Sequence, residues 1–282
     1  MDILTLEKQI KDLDRQRAKL CAELHALREA AKVAAPESPD AKIALFRNLF
    51  RGREDVYANY WENATKGTSG FSPAKDFYGN YGSITDQIIK GHLQGANITA
   101  IYPMLRNEKT WVLAIDFDTE SGANAYRVCA REFDIDVAVE ATSSDAARAW
   151  IFFDTTTDSE IARKIGTVLL GMAMRTCGDI SFSTYDKMYP NQDRMPKGGL
   201  GNFIPLPLQK AARADGFTVF LDDDLKPYED QWGYLANIRK LKAQDTAGFL
   251  SKHAPLPTES ESEPWLIPQT DDFSSVALPK EI

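Results

Sequence analysis

The sequence predicts an α+β domain with a mainly antiparallel sheet, carried behind an N-terminal coiled-coil helix. Three observations predict it. Short apolar runs rich in strand-favouring side chains recur at residues 98–105, 111–115, 135–142, 149–154 and 217–221. A strongly amphipathic stretch, 159–176, follows two of them, and residues 3–31 repeat apolar side chains at alternating spacings of three and four. The order hairpin, helix, strand, strand, helix belongs to antiparallel sheets with helices packed on one side.

Taken in order, Ile3, Leu6, Ile10, Leu13, Leu20, Leu24 and Leu27 form a heptad seam broken once by Arg17. The seam describes a helix of about 45 Å with one apolar stripe. A parallel dimer, a trimer or the chain's own body would each cover it, so self-association through residues 3–31 is expected. Residues 33–42 carry two prolines and read as a linker. The body is expected over 43–241. Residues 43–61 read as one or two helices with Arg47, Arg51 and Arg53 on the side away from the aromatics. These arginines suit either a solvated face or phosphate contacts of nucleic acid.

Residues 65–83, rich in Gly, Ser, Lys and Tyr, read as a loop, and 84–93 as a surface helix capped near Thr85. Strand 98–105 is expected to pair with strand 110–118 through a turn at Asn107 and Glu108. A helix from 122 to 133, strands 135–142 and 149–154, and the amphipathic helix 159–176 follow. A short strand from 180 is expected to end at Asp186, before strands at 202–209 and 217–221 and a closing helix at 230–241. Residues 242–282 have the polar, proline-rich composition of a flexible linker or tail.

Composition excludes several classes. With 43% hydrophobic and 26% charged residues the chain is ordinary for a soluble globular protein. No apolar run approaches the roughly 20 residues needed to span a bilayer, so no membrane partner is expected. The net charge of −8 argues against coating nucleic acid through overall charge, though a local basic groove would still serve. Cys21, Cys129 and Cys177 form no CxxC pair, which fits a reducing cytoplasm. Three scattered histidines give a multi-histidine metal site or a Ser/His/Asp triad little to work with.

The chemistry concentrates at 110–121, where Asp116 and Asp118 interrupt a buried apolar run. Side chains two apart on a strand share a face. Two anions there call for a divalent cation or strong donors between them, unless the strand simply runs out into a polar turn. A second region, 180–210, carries Asp186, then Arg194, Lys197, Gly198 and Gly199, a basic glycine loop of the kind that can meet phosphates. Three acids on one sheet with such a loop suit nucleotidyl transfer with two metal ions about 3.5 to 4 Å apart.

At this point the sequence resembles the archaeo-eukaryotic primase superfamily, in particular the primase-polymerase domain of TOTE conflict systems. The carrying stretches are LFRGREDVYANYWEN, WVLAIDFD, AWIFFD with IARKIG, STYDKMYPNQD, PKGGLGNFIPLPLQK and YEDQWGYLANIRKL, together covering about residues 43 to 241. The resemblance implies a catalytic core with an RRM-like half, Mg²⁺ or Mn²⁺, nucleoside triphosphates, a DNA template, and a helicase domain or partner. Asp116 and Asp118 match the first acidic motif, and Asp186 best matches the third, with Asp179 and Asp193 as rivals. Lys197, Gly198 and Gly199, with Arg194, fall where incoming phosphates are expected.

One departure stands out. The family's loop before AWIFFD ends in a nucleotide-contacting histidine, whereas here SSDAAR offers Ser144 and Arg148. Arg148 would still bind phosphate through its fork of donors. The alternative reading is a catalytically impaired relative that binds nucleotide or DNA.

Overall fold

In the computed structural model, which describes residues 2–176, 185–195 and 197–254, a single strand of the 110–121 region organises the body. In chain order the elements are α1 (Ile3–Ala30), α2 (Pro39–Leu49), β1 (Tyr57–Asn63), β2 (Thr68–Pro73), α3 (Asp86–Gln94), β3 (Thr99–Ile101), β4 (Lys109–Phe117), α4 (Glu120–Arg131), β5 (Ala138–Ala141), β6 (Ala147–Asp158), α5 (Ser159–Thr176), β7 (Tyr185–Tyr189), β8 (Ile204–Pro205), α6 (Lys210–Ala214), β9 (Val219–Leu221), α7 (Gln231–Ala236) and α8 (Ala243–His253). They form two antiparallel sheets, ordered β2-β1-β3-β8 and β7-β4-β6-β5-β9. No helix among the described residues is long and apolar enough to cross a membrane.

The run β4, α4, β5, β6, α5, β7 is a strand-helix-strand-strand-helix-strand unit. Its strands stand side by side as fourth, first, third, second, which is the split βαβ arrangement of an RRM-like half. β9 extends it at the edge. β4 is central because Val112, Leu113, Ala114 and Ile115 are apolar on both sides, and all four are buried. One face of the sheet takes α4 and α5. Phe117 meets Tyr126 of α4 with ring centroids 5.6 Å apart. α5 comes so close that a Cβ on Gly166 would lie 2.8 Å from Met188 Cε and 3.1 Å from Leu113 Cδ2. The other face carries Trp150 and Phe152, closed by Phe50 at the end of α2, whose ring stands edge-on to both at 5.1 and 5.3 Å.

Several sequence expectations are corrected. Residues 43–61 are not helical throughout: α2 starts at Pro39, capped by Ser38, inside the expected linker, and ends at Leu49, while Tyr57 begins a strand. Tyr57, Tyr60 and Trp61 stand at helical spacing, yet aromatic side chains favour strands and the segment pairs with β2 and β3. β2 lies within the expected 65–83 loop and pairs with β1 along its whole length. β3 does not pair with β4; it joins β1 and β8 in the other sheet. The expected strand at 202–209 is only two residues long, and the closing helix ends at Ala236. β7 runs on through Tyr189, so Asp186 does not end it, and residues 177–184, with Asp179, lie outside the described residues.

The expected flexible tail begins instead as α8, whose buried Phe249 meets Phe133 at 5.4 Å. Residues 255–282 lie outside the described residues. α1 and α5 agree with expectation, and α3 has its Thr85 cap. His92 on α3, however, is fully buried rather than on the surface.

Candidate active site

Directly opposite residues in an antiparallel sheet point to the same face. Lys187 of β7 stands opposite Asp116 of β4, Asp116 opposite Arg148 of β6, and Arg148 opposite Glu140 of β5. One rung across four strands therefore reads cation, anion, cation, anion. This ladder lies on the face away from α4 and α5.

Arg148 is its centre. Nε donates to Asp116 Oδ1 at 2.6 Å and Nη2 to Oδ2 at 3.2 Å, a bidentate fork. Nη1 donates to the Pro205 carbonyl of β8 at 3.2 Å and lies 4.0 Å from Glu140 Oε2, so the guanidinium ties the two sheets together. Its carbon centre is 5.7 Å from the rings of both Trp150 and Tyr189. Burial alone would lower the pKa of this guanidinium, but Asp116 and Glu140 outweigh it and raise it. Glu140 is buried and accepts from Trp150 Nε1 at 2.7 Å. Burial pushes its carboxyl up to about 7, against the pull of Arg148. Burial, followed by the Asp116 charge, pushes the Tyr189 phenol up to about 12.

The other acids sit at the same end of the sheet. Asp118 is exposed in the bend between β4 and the Thr119 cap of α4. Asp186 occupies a bulge, since Asp116 pairs with Lys187 and Phe117 with Tyr185. Its Oδ2 lies 3.7 Å from Lys187 Nζ. Ser144 is exposed in the turn joining β5 and β6, beside the Phe117–Ala147 pair at the same end.

The glycine loop is placed differently. Arg194 lies 3.9 Å from Glu108, Met195 N donates to Glu108 at 3.2 Å, and Asp193 is held by Arg163 at 2.7 Å. Glu108 precedes β4, so Arg194 docks at the opposite end of that strand from Asp116, roughly 25 Å away by strand rise. Lys197 is exposed and Gly198 takes φ +71° in open space, with Gly199 next to it.

Arg47, Arg51 and Arg53 do not form one patch. Arg47 pairs with Asp86 at 2.6 Å and Glu54 at 3.5 Å. Arg51 stacks 3.5 Å above the Trp111 ring. Arg53 is buried with a bidentate grip on Asp55, which holds that carboxyl well below the usual carboxylate range. Two clefts, of about 310 and 430 Å³, touch no member of the ladder.

Carboxylate oxygens suit Mg²⁺ or Mn²⁺ by donor type. The arrangement does not: both oxygens of Asp116 are taken by Arg148, and among the described residues no three His, Cys, Asp or Glu side chains are grouped to hold a metal. Sequence reasoning missed Glu140, Tyr189 and Lys187 as partners of Asp116 and Arg148. The one available signal was Glu140 itself, a charge at a position where the strand is otherwise apolar.

Among solved structures the fold is similar to the polymerase domain of Mycobacterium tuberculosis ligase D in complex with DNA. The two share 12% identity over 76% of this chain and 85% of that one, with a TM-score of 0.41. No curated protein matches. The family described as the TOTE conflict system, Archaeo-Eukaryotic Primase domain, matches residues 41–249, from the start of α2 into α8 and across the whole ladder, and the chain therefore belongs to that family.

Proposed function

We propose that the chain performs template-directed nucleotidyl transfer as a DNA primase or polymerase. The observation that carries this is the family match over residues 41–249, with acids of the two matching motifs on the adjacent strands β4 and β7. In this reading Asp116, Asp118 and Asp186 are the catalytic carboxylates. Mg²⁺ or Mn²⁺ would be held among them only after the Arg148 fork has left Asp116, and would supply positive charge to the triphosphate. Ser144 and Arg148 serve the nucleotide, as do Lys197, Gly198 and Gly199. Arg194 would do so only if its loop moves from Glu108, and Arg51 would meet the nucleic-acid backbone. Nucleoside triphosphates and a DNA template are the required partners, and a helicase domain or partner would open the duplex ahead of synthesis.

A second reading, a primase-like module that binds nucleotide or DNA without extending it, is favoured by the same Arg148 grip on Asp116. Primer synthesis and extension with labelled nucleotides and Mn²⁺ or Mg²⁺ separate the two. Product from the native chain, lost with Asp116→Ala and Asp118→Ala together, supports the enzyme. Nucleotide binding with no extension under either metal supports the module.

A further inference from the structure

Within the ladder Asp116 stands between two cations, Lys187 on one side and Arg148 on the other, without any bound ion. Asp116 is only 20% exposed and Arg148 only 8%, so the pair is largely withdrawn from water. The guanidinium donates twice to Asp116 and once to the Pro205 carbonyl. The guanidinium thus does for Asp116 and Glu140 what a metal would do, and it comes from inside the fold.

We infer that Arg148 is the resident cation of this site, holding Asp116 in place of a divalent ion, so that Arg148 and a metal exclude one another at that carboxylate. The inference rests on the assignment of Asp116 under the proposed function and adds that this chain has a competitor for it built into β6. Arg148 is here a positioning residue. Removing its charge leaves the Asp116 carboxylate without its buried counter-ion and open to another cation. Lys187 faces Asp116 from the other side, but its ammonium lies 3.7 Å from Asp186 and is half-exposed, so it does not replace the buried fork.

The test is Mn²⁺ binding to the full chain, read by electron paramagnetic resonance of the free ion without nucleotide. Arg148→Gln is expected to bind Mn²⁺ about tenfold tighter than the native chain or better, and adding Asp116→Asn is expected to remove the gain. If Arg148→Gln does not fold because Glu140 is left unpaired, Arg148→Gln with Glu140→Gln replaces it, and the Asp116→Asn comparison stands in either case. Equal affinities for the native chain and folded Arg148→Gln overturn the inference, as does a gain that persists when Asp116→Asn is added. Nucleotide incorporation is measured separately, so absence of extension with the expected Mn²⁺ results removes the polymerase reading and leaves the resident cation in place.

Discussion

His92 shows how a single buried side chain fixes a titration. Its Nδ1 accepts from Thr99 N at 3.2 Å, so the proton must sit on Nε2, which donates to the Pro207 carbonyl at 2.8 Å. That neutral ring is correct only while Nδ1 keeps its lone pair, and burial lowers its pKa to about 4. A folded pKa below the unfolded value means the unfolded chain binds the proton more readily. The stabilising contribution is therefore present above about pH 6.5 and lost as pH falls toward 4, by on the order of 3 kcal/mol. Urea unfolding at pH 7.5 and at pH 4.5 should show this loss, and His92→Gln should flatten it. No local pattern hints at this role, because a histidine on an amphipathic helix looks the same whether its face meets solvent or a second sheet. Asp116 and Asp118 were legible as residues worth watching, since a pair of acids ending an apolar strand is uncommon. The fork of Arg148 on Asp116 was not legible, because it depends on which strand stands beside which.

Among elements, the junction of α2 and β1 is the most constrained. A Cβ on Gly52 would lie 2.5 Å from the Tyr102 carbonyl oxygen, the same oxygen that accepts from Arg53 N at 2.8 Å. Backbone cannot give way as a flexible side chain can, so Gly52→Ala should cost about 1–3 kcal/mol, checked by denaturant unfolding. α1 behaves oppositely. Ile3, Leu6, Ile10, Leu13, Leu20, Leu24 and Leu27 are all exposed along its length. Among the described residues its C-terminal end is tied to the body, through Arg28 to Asp134 at 2.9 Å and a Val33–Asn237 clasp just beyond the helix at 2.8 and 2.9 Å. Removing residues 1–30 should leave the melting temperature of the body nearly unchanged while converting any oligomer to monomer in sedimentation. A native chain that sediments as a monomer with α1 present would end the self-association proposal.

At the scale of the whole molecule, the folded body extends past the compositional boundary at Lys242. α8 packs Phe249 and His253 against Phe133, with ring centroids 5.4 and 4.8 Å apart, and the family match runs to residue 249. Phe249→Ala should cost about 3 kcal/mol, and a chain stopped at 242 should melt well below one that includes α8. The sequence by itself determined the α+β class, the amphipathic helix α5, the long helix α1 and the family, because periodicity and ordered motifs are properties of neighbouring residues. Only the tertiary structure decided that β3 leaves β4 for the other sheet, that Arg194 docks at the far end of β4, and that Lys187, Asp116, Arg148 and Glu140 share one rung. Those outcomes depend on strand register and sheet order, which join residues tens of positions apart, and no local pattern of polarity encodes which of several compatible neighbours a strand will take.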